Sequence, residues 1–187
     1  MEQTKRNAWL PMLTVGLKLL LICTVIAGLV SFCYALTFDA YEKNLQEKRN
    51  RAVSSIFERD GLACEVLSED GKTIVYEVSE NGAAVGYCVE VSSGGFGGDV
   101  AVMVGYNADM TVCGVSILSH SETPGLGARV TEDFFLAQFE GQSGALVLGS
   151  DVDAISGATI SSRAVTDGVN LATETLTKLL QSKGGAA

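Results

Sequence analysis

Leu19 to Leu36 is an unbroken run of eighteen residues without a charge, and no other feature limits the chain's options so tightly. Coiled as a helix at about 1.5 Å per residue, the run reaches about 27 Å, close to the hydrocarbon thickness of a bilayer. Extending it back to Leu10, past Lys18 with its snorkelling stem, makes a comfortable span. Trp9 and Tyr34 stand near the two ends, where interfacial aromatics gather. A cleaved signal peptide competes with this reading, because Lys5 and Arg6 supply a basic start. Signal-peptide cores are usually shorter, about 7–15 residues. Cys33-Tyr34-Ala35 is also a mediocre cleavage site, and Phe32 before Cys33 departs from a lipoprotein signature. The pattern predicts one retained transmembrane helix over residues 10–36, after an N-terminal stretch 1–9. Charge counting does not orient it: Lys5 and Arg6 precede it, while Lys43, Lys48, Arg49 and Arg51 come closely after it.

Beyond the span the chain is acidic. Its 187 residues carry a net charge of −9, yet residues 1–37 hold Lys5, Arg6 and Lys18 against Glu2 alone. An acidic domain repels nucleic acid and anionic lipid, and no basic stripe with interleaved aromatics interrupts it. Nucleic acid is not an expected partner. From Tyr41 to Phe57, Leu45, Ala52, Val53, Ile56 and Phe57 fall at helix-compatible places among many charges. This predicts a helical neck over 37–58 with a solvated charged face.

Residues 59–187 read as one domain. Thr73–Val78 and Ala84–Val91 are strand-like runs flanking an Asn81-Gly82 turn, and Val100–Gly105 and Thr111–Ile117 flank the bend at Asn107-Ala108-Asp109. Short strands with short connections indicate an antiparallel sheet. With helices expected near Thr131–Phe139 and Ser161–Leu180, the fold class is α+β. The glycine-rich Ser92–Gly98 lacks the Gly-Lys-Ser/Thr ending of a phosphate-binding loop and opens no helix, so it reads as a close strand connection. The small residues of Lys183–Ala187 suggest a frayed end.

The last helix begins in a run of hydroxyls. Val165, Val169, Ala172, Leu176 and Leu179 recur at spacings of four and three on one face. Ser156 to Ser162 therefore lies at the helix start, where unpaired N–H groups and the macrodipole favour an anion. An ordinary helix cap uses the same residue types. Two longer motifs add to this. Asp153-Ala154-Ile155-Ser156-Gly157-Ala158-Thr159 matches D-x-x-[ST]-G-A-T, and His120-Ser121-Glu122-Thr123-Pro124-Gly125-Leu126-Gly127 matches H-x-E-T-P-G-L-G. Taken alone, the second is also compatible with a tight Pro-Gly turn and nothing more.

Together these motifs resemble the FMN-binding subunits RnfG and NqrC, with the chain's brevity closer to RnfG. The resemblance runs over the whole chain: short N-terminus, one anchor, glycine-bearing strands, the two motifs and a closing helix. It implies FMN joined by a phosphoester to Thr159, attached by a separate flavin transferase because an unaided threonine hydroxyl is a poor nucleophile. It implies that Asp153, Ser156, Gly157 and Ala158 belong to the attachment motif. Glu122 and Thr123 would supply polar contacts to the flavin, Leu126 an apolar wall, and Gly127 would complete that loop; the glycine-rich stretch would support the pocket.

The resemblance further implies an electron-transfer subunit of an Rnf-type ion-translocating ferredoxin:NAD oxidoreductase, with no complete active site of its own. Other Rnf membrane subunits would be its partners. It would sit in the cell (inner) membrane, single-pass, with the C-terminal domain extracytoplasmic. A stand-alone extracytoplasmic flavin carrier and a membrane-tethered, non-redox binding domain remain open alternatives.

The rest of the chemistry is sparse. His120 is the only histidine and has no acidic partners at metal spacing, so a metal site is not expected. No C-x-x-C occurs among Cys23, Cys33, Cys64, Cys88 and Cys113. A Cys88–Cys113 disulfide is allowed but not required, and small buried thiols are the expected role in the domain.

Overall fold

The computed structural model of the chain describes residues 9–184. The N-terminal stretch 1–8, the side chain of Trp9 and the last three residues of the expected frayed end lie outside the described residues. Two compact units divide at residues 47 and 48, and helix α1 runs over Trp9–Phe57.

In the first unit, every side chain from Met12 to Leu36 is exposed. A helix apolar on all sides with nothing packed around it has its natural solvent in lipid. Among the described residues α1 is the one helix long and apolar enough to cross a membrane. Two of its hydroxyls are satisfied internally: that of Thr24 donates to the Leu20 carbonyl at 2.8 Å and that of Thr37 to the Cys33 carbonyl at 2.9 Å. Inside a bilayer such back-bonding removes the need for water.

The second unit is built on a five-stranded antiparallel meander in the order β1-β2-β3-β4-β5, with β1 Ala63–Asp70, β2 Thr73–Glu80, β3 Ala83–Gly94, β4 Asp99–Asn107 and β5 Val112–Ser119. Asn81 and Gly82, at φ 51° and 83°, form the two-residue β2–β3 turn, a geometry whose positive φ angles Asn-Gly tolerates. Strand β1 is not among the strands expected from the sequence. It is an edge strand, mostly exposed, with a register shift between Val66 and Ser68, so its apolar residues keep no clean period of two.

Alternation along β4 shows why the sheet has two covered faces. Val100, Val102, Val104 and Tyr106 point one way into the main core, joined by Val89 and Val91. Helix α3, Thr159–Gly184, lies over that face with Val165, Val169, Ala172 and Leu176 fully buried. Each of the valines and the leucine contributes roughly 1.5–3 kcal/mol by leaving water. Tyr106 shares a hydrogen bond with Thr173 at 2.9 Å, and the Ser93 hydroxyl donates to the Ala164 carbonyl at 2.6 Å. These polar ties fix the helix along the sheet.

Met103 points the other way, with Tyr76, Val78 and Cys88, against Ala52, Val53 and Ile56 from the last turns of α1. Arg49 is not part of a solvated face: its Nε sits 2.7 Å from Glu90 Oε2, which also accepts from the Tyr76 hydroxyl at 3.3 Å. Residues 48–57 thus pack as part of the domain. Ile56 lies so close to Gly105 that a Cβ there would collide with its methyl group and stand 2.9 Å from Cys113 Sγ. Gly105→Ala is expected to lose about 1–3 kcal/mol by this overpacking, read as a lower midpoint in chemical denaturation of the detergent-solubilised chain.

Two further expectations change. The helix near 131–139 is a broken series: a 3-10 turn Gly127–Thr131, a single turn of α2 at Asp133–Leu136, and a second 3-10 turn Ala137–Phe139. The extended backbone of Glu132 (ψ 143°) interrupts it, and Phe135 and Phe139 pin it to the core. The cysteines are all free, so the optional disulfide is absent. Cys88 is buried as expected, whereas Cys64 is exposed on β1. Burial pushes the Cys88 thiol well up and that of Cys113 up to about 11, which keeps both out of the reactive thiolate form at neutral pH.

Candidate functional site

The pocket forms where three segments distant in sequence converge: the β3–β4 glycine loop, the loop after β5, and the start of α3. A cavity of about 310 Å³ is lined by Phe96, by Glu122, Thr123, Leu126 and Gly127, and by Gly157 through Ser161. That volume lies at the lower end of the range for small-molecule sites, and an apolar lining with few polar groups is their usual make-up. Phe96, Leu126 and Ile160 are large apolar side chains that remain exposed at its walls.

The loop before α3 is held by local chemistry. The Ala158 N–H donates to the Ile155 carbonyl at 2.9 Å, with Gly157 at φ 79° inside the turn. A residue with a Cβ would be strained there. Ser162 fastens the same loop from within the helix. Its buried hydroxyl accepts the Ile155 N–H at 3.0 Å and donates to the Ala158 carbonyl at 3.0 Å. Ser162→Ala leaves the Ile155 N–H without a partner, at about 1–3 kcal/mol. The expected readout is faster hydrogen exchange at the Ile155 amide, with the central strands unchanged.

Glu122 clasps the three segments together. It is 4% exposed. Its Oε1 accepts the Phe96 and Gly97 N–H groups at 2.8 and 3.1 Å, and its Oε2 accepts the Ser161 hydroxyl at 2.6 Å. Burial alone would raise its pKa, but the Ser161, Gly97 and Phe96 donors, with a smaller electrostatic contribution from His120, outweigh it and hold the carboxyl below its ordinary value. The glycines leave room for this clasp. A Cβ at Gly95 would run into Glu122 Oε1, and one at Gly127 would stand 2.5 Å from Oε2 and 2.6 Å from Ser161 Oγ. His120 is a hydrogen-bonded loop histidine, its Nδ1 accepting the Glu122 N–H at 3.2 Å.

One hydroxyl of the cluster is left at the pocket. Ser161 is engaged by Glu122, Ser162 by the loop, and Thr166 donates to the Ser162 carbonyl at 3.0 Å. Thr159 is exposed, lines the pocket, opens α3, and has no hydrogen-bond partner among the described residues. The first N–H groups of a helix lack intrahelical acceptors and carry partial positive charge, so an anion beside Thr159 is favoured.

The structure gathers Glu122, Thr123, Leu126, Gly127, Gly157, Ala158 and Thr159 at one cavity. Asp153 and Ser156 stand outside its lining and are exposed. The Asp153 main chain instead ties to Gln138, its N–H donating to Oε1 at 2.7 Å. Phe96, Ile160 and Ser161 join the lining without having been named as site residues. The glycines around Phe96 and the hydroxyl run around Ser161 were the available signals.

A hydroxyl free at a helix N-terminus, beside an apolar cavity with few polar groups, suits a ligand with an anionic group and an apolar body, and residues 95–174 match the FMN-binding domain family. Over 173 residues the chain is 32% identical to the G subunit of the ion-translocating oxidoreductase complex of Methanosarcina acetivorans, an alignment covering 84% of this chain and 92% of that one. It is 37% identical over 121 residues to the G subunit of the proton-translocating ferredoxin:NAD(+) oxidoreductase complex of Clostridium ljungdahlii, covering 61% and 65% respectively. A crystal structure of the C subunit of Na(+)-translocating NADH-quinone reductase from Parabacteroides distasonis aligns with a TM-score of 0.49 at 27% identity, covering 58% of this chain and 62% of that one. The chain belongs to the family of G subunits of ion-translocating oxidoreductase complexes.

Proposed function

We propose that this chain is the membrane-anchored flavoprotein subunit of an Rnf-type ion-translocating ferredoxin:NAD oxidoreductase, carrying electrons through FMN esterified by its phosphate to Thr159. The observation that carries the reading is the Thr159 hydroxyl, the one in its cluster that both faces the cavity and is left unengaged. In the net reaction the threonine oxygen bonds to phosphorus and one water is lost. An unaided threonine hydroxyl is a poor nucleophile, so a separate flavin transferase performs the step.

Bound FMN supplies one- and two-electron chemistry, which lets it join carriers of both kinds. The protein's part is placement. The α3 N-terminus offers N–H groups to the phosphate, Gly157 and Ala158 add no bulk beside it, and Phe96, Leu126 and Ile160 give apolar enclosure to a ring. Thr123 is the polar side chain of the loop left to contact the flavin, because Glu122 is taken up by its own neighbours.

In this assignment residues 1–9 are cytoplasmic and 10–36 cross the membrane; the expected neck over 37–58 shortens to 37–47, because residues 48–57 pack with the sheet, and the extracytoplasmic FMN-binding domain takes in 48–187. A covalent link suits that location, since a flavin lost outside the cytoplasm is not readily replaced. One helix with a single lysine cannot make an ion pathway of its own, so other membrane subunits supply it. Affinity purification of the full chain from a mild detergent extract is expected to bring down multi-span membrane subunits. Purification of the flavinylated chain alone under those conditions would instead favour a stand-alone carrier.

A further inference from the structure

Glu122 is the only charged side chain buried among the described residues, and its placing of loops does not account for its charge. A clasp between the glycine loop and α3 needs acceptors, which a neutral amide also provides. Burying an ion instead is costly unless it is fully hydrogen-bonded. Here the two main-chain N–H groups and Ser161 satisfy its oxygens, yet no lysine or arginine forms an ion pair with it among the described residues. His120 meets the Glu122 main chain, its Nδ1 accepting the Glu122 N–H. The carboxylate is therefore well solvated by the protein, and no lysine or arginine pair cancels its charge among the described residues. It also lines the cavity that Thr159 opens onto, among Phe96, Leu126, Ala158 and Ile160. In such surroundings a fixed charge acts more strongly than it does in water.

We propose that Glu122 is a positioning residue with a second role, in which its fixed negative charge at the pocket wall lowers the reduction potential of the flavin held at Thr159. The inference rests on the flavin assignment above. Each electron that reaches the ring from a reduced partner or an electrode without its proton adds negative charge there. A neighbouring carboxylate disfavours that addition. The oxidised ring is correspondingly favoured, so the flavin passes its electrons on more readily. Ser161 and the Phe96 and Gly97 amides hold the carboxylate in the ionised form that this requires.

The test is a spectroelectrochemical titration of the full chain, made together with its flavin transferase and kept in detergent. Glu122→Gln keeps the shape of the clasp: its amide oxygen can accept from Phe96 and Gly97, and its amide nitrogen can donate to Ser161. It removes only the charge, and its midpoint is expected to rise by about 30 mV or more, a tenfold change in the equilibrium of a two-electron couple. Ser161→Ala keeps the charge and removes one donor that offsets it, so its midpoint is expected to fall. An unchanged Glu122→Gln midpoint overturns the inference, as does a rise in both variants, which would mark a loosened pocket. Should Glu122→Gln take up no flavin, Ser161→Ala decides alone: a lower midpoint supports the inference, and an unchanged or higher one overturns it. Intact mass separates this inference from the assignment beneath it, because a wild-type chain without flavin at position 159 ends the flavin assignment itself.

Discussion

Thr159→Ala is expected to remove covalent flavin completely while leaving the fold unchanged. The side chain is exposed at the first position of α3 and makes no hydrogen bond among the described residues. Alanine is a good helix former there, so the change in stability should stay within about 0.5 kcal/mol. No other hydroxyl at the start of α3 can substitute. Ser161 and Ser162 are buried and engaged with Glu122 and with the loop, and Ser156 stands outside the cavity lining. Thr159→Ser keeps a hydroxyl at the same place and is expected to retain part of the label. The measurement is yellow-green fluorescence of the denatured gel band beside a thermal melt of the same preparation. Label surviving in Thr159→Ala would place the attachment elsewhere. A lost label with a collapsed melt would leave the role of the hydroxyl unseparated from folding, which is why both are read together.

Glu122→Ala should be the most damaging single change in the pocket. It strips partners from two main-chain N–H groups and the Ser161 hydroxyl, each costing roughly 1–3 kcal/mol when left unpaired, less what entering water restores. A net loss of about 2–4 kcal/mol is expected from those unpaired groups, visible as a lower midpoint in chemical denaturation. The glycine loop and the start of α3 should show the largest gains in hydrogen exchange. The wild type carries the matching pH dependence. Glu122 has a folded pKa held below its ordinary value of 4.5, so its contribution is fully present above the unfolded pKa and is lost as pH falls through the lower folded one. The glycine loop should therefore stay closed at neutral pH and open only on strong acidification. In Glu122→Ala that acid-dependent step should be missing.

Much of this architecture could be read from spacing. The valines of β2, β3 and β4 and the apolar stripe of α3 announce themselves because burial on a single face repeats at two or near 3.6 residues. The eighteen-residue apolar run is equally plain. Where local pattern and burial part company, the sequence is silent. Strand β1 is an exposed edge with a register shift, so hydrogen bonding to β2 makes it a strand and its side chains do not. The 127–139 segment is helical only in fragments, because Glu132 is extended between two turns.

The site divides along the same line. Thr159 and the Glu122–Gly127 loop lie in motifs that can be recognised as strings, and the fold brings them to one cavity. Nothing local, by contrast, could have revealed that Ser161 hydrogen-bonds a carboxylate 39 residues away, or that Phe96 belongs beside Leu126. Such pairings are set by the approach of loops, and only three dimensions record them. The pairing of half-buried Arg49 with Glu90 is of the same kind. A charge within a charged stretch looks solvated until its partner strand is placed.

The decisive quantity is the mass of the intact, unfolded chain, made in the presence of its flavin transferase. The expected value is the polypeptide plus one FMN less one water, with the added mass retained through denaturation and localised to the peptide containing residue 159. A chain of bare polypeptide mass, or one whose flavin departs on unfolding, would contradict a covalent flavin carrier.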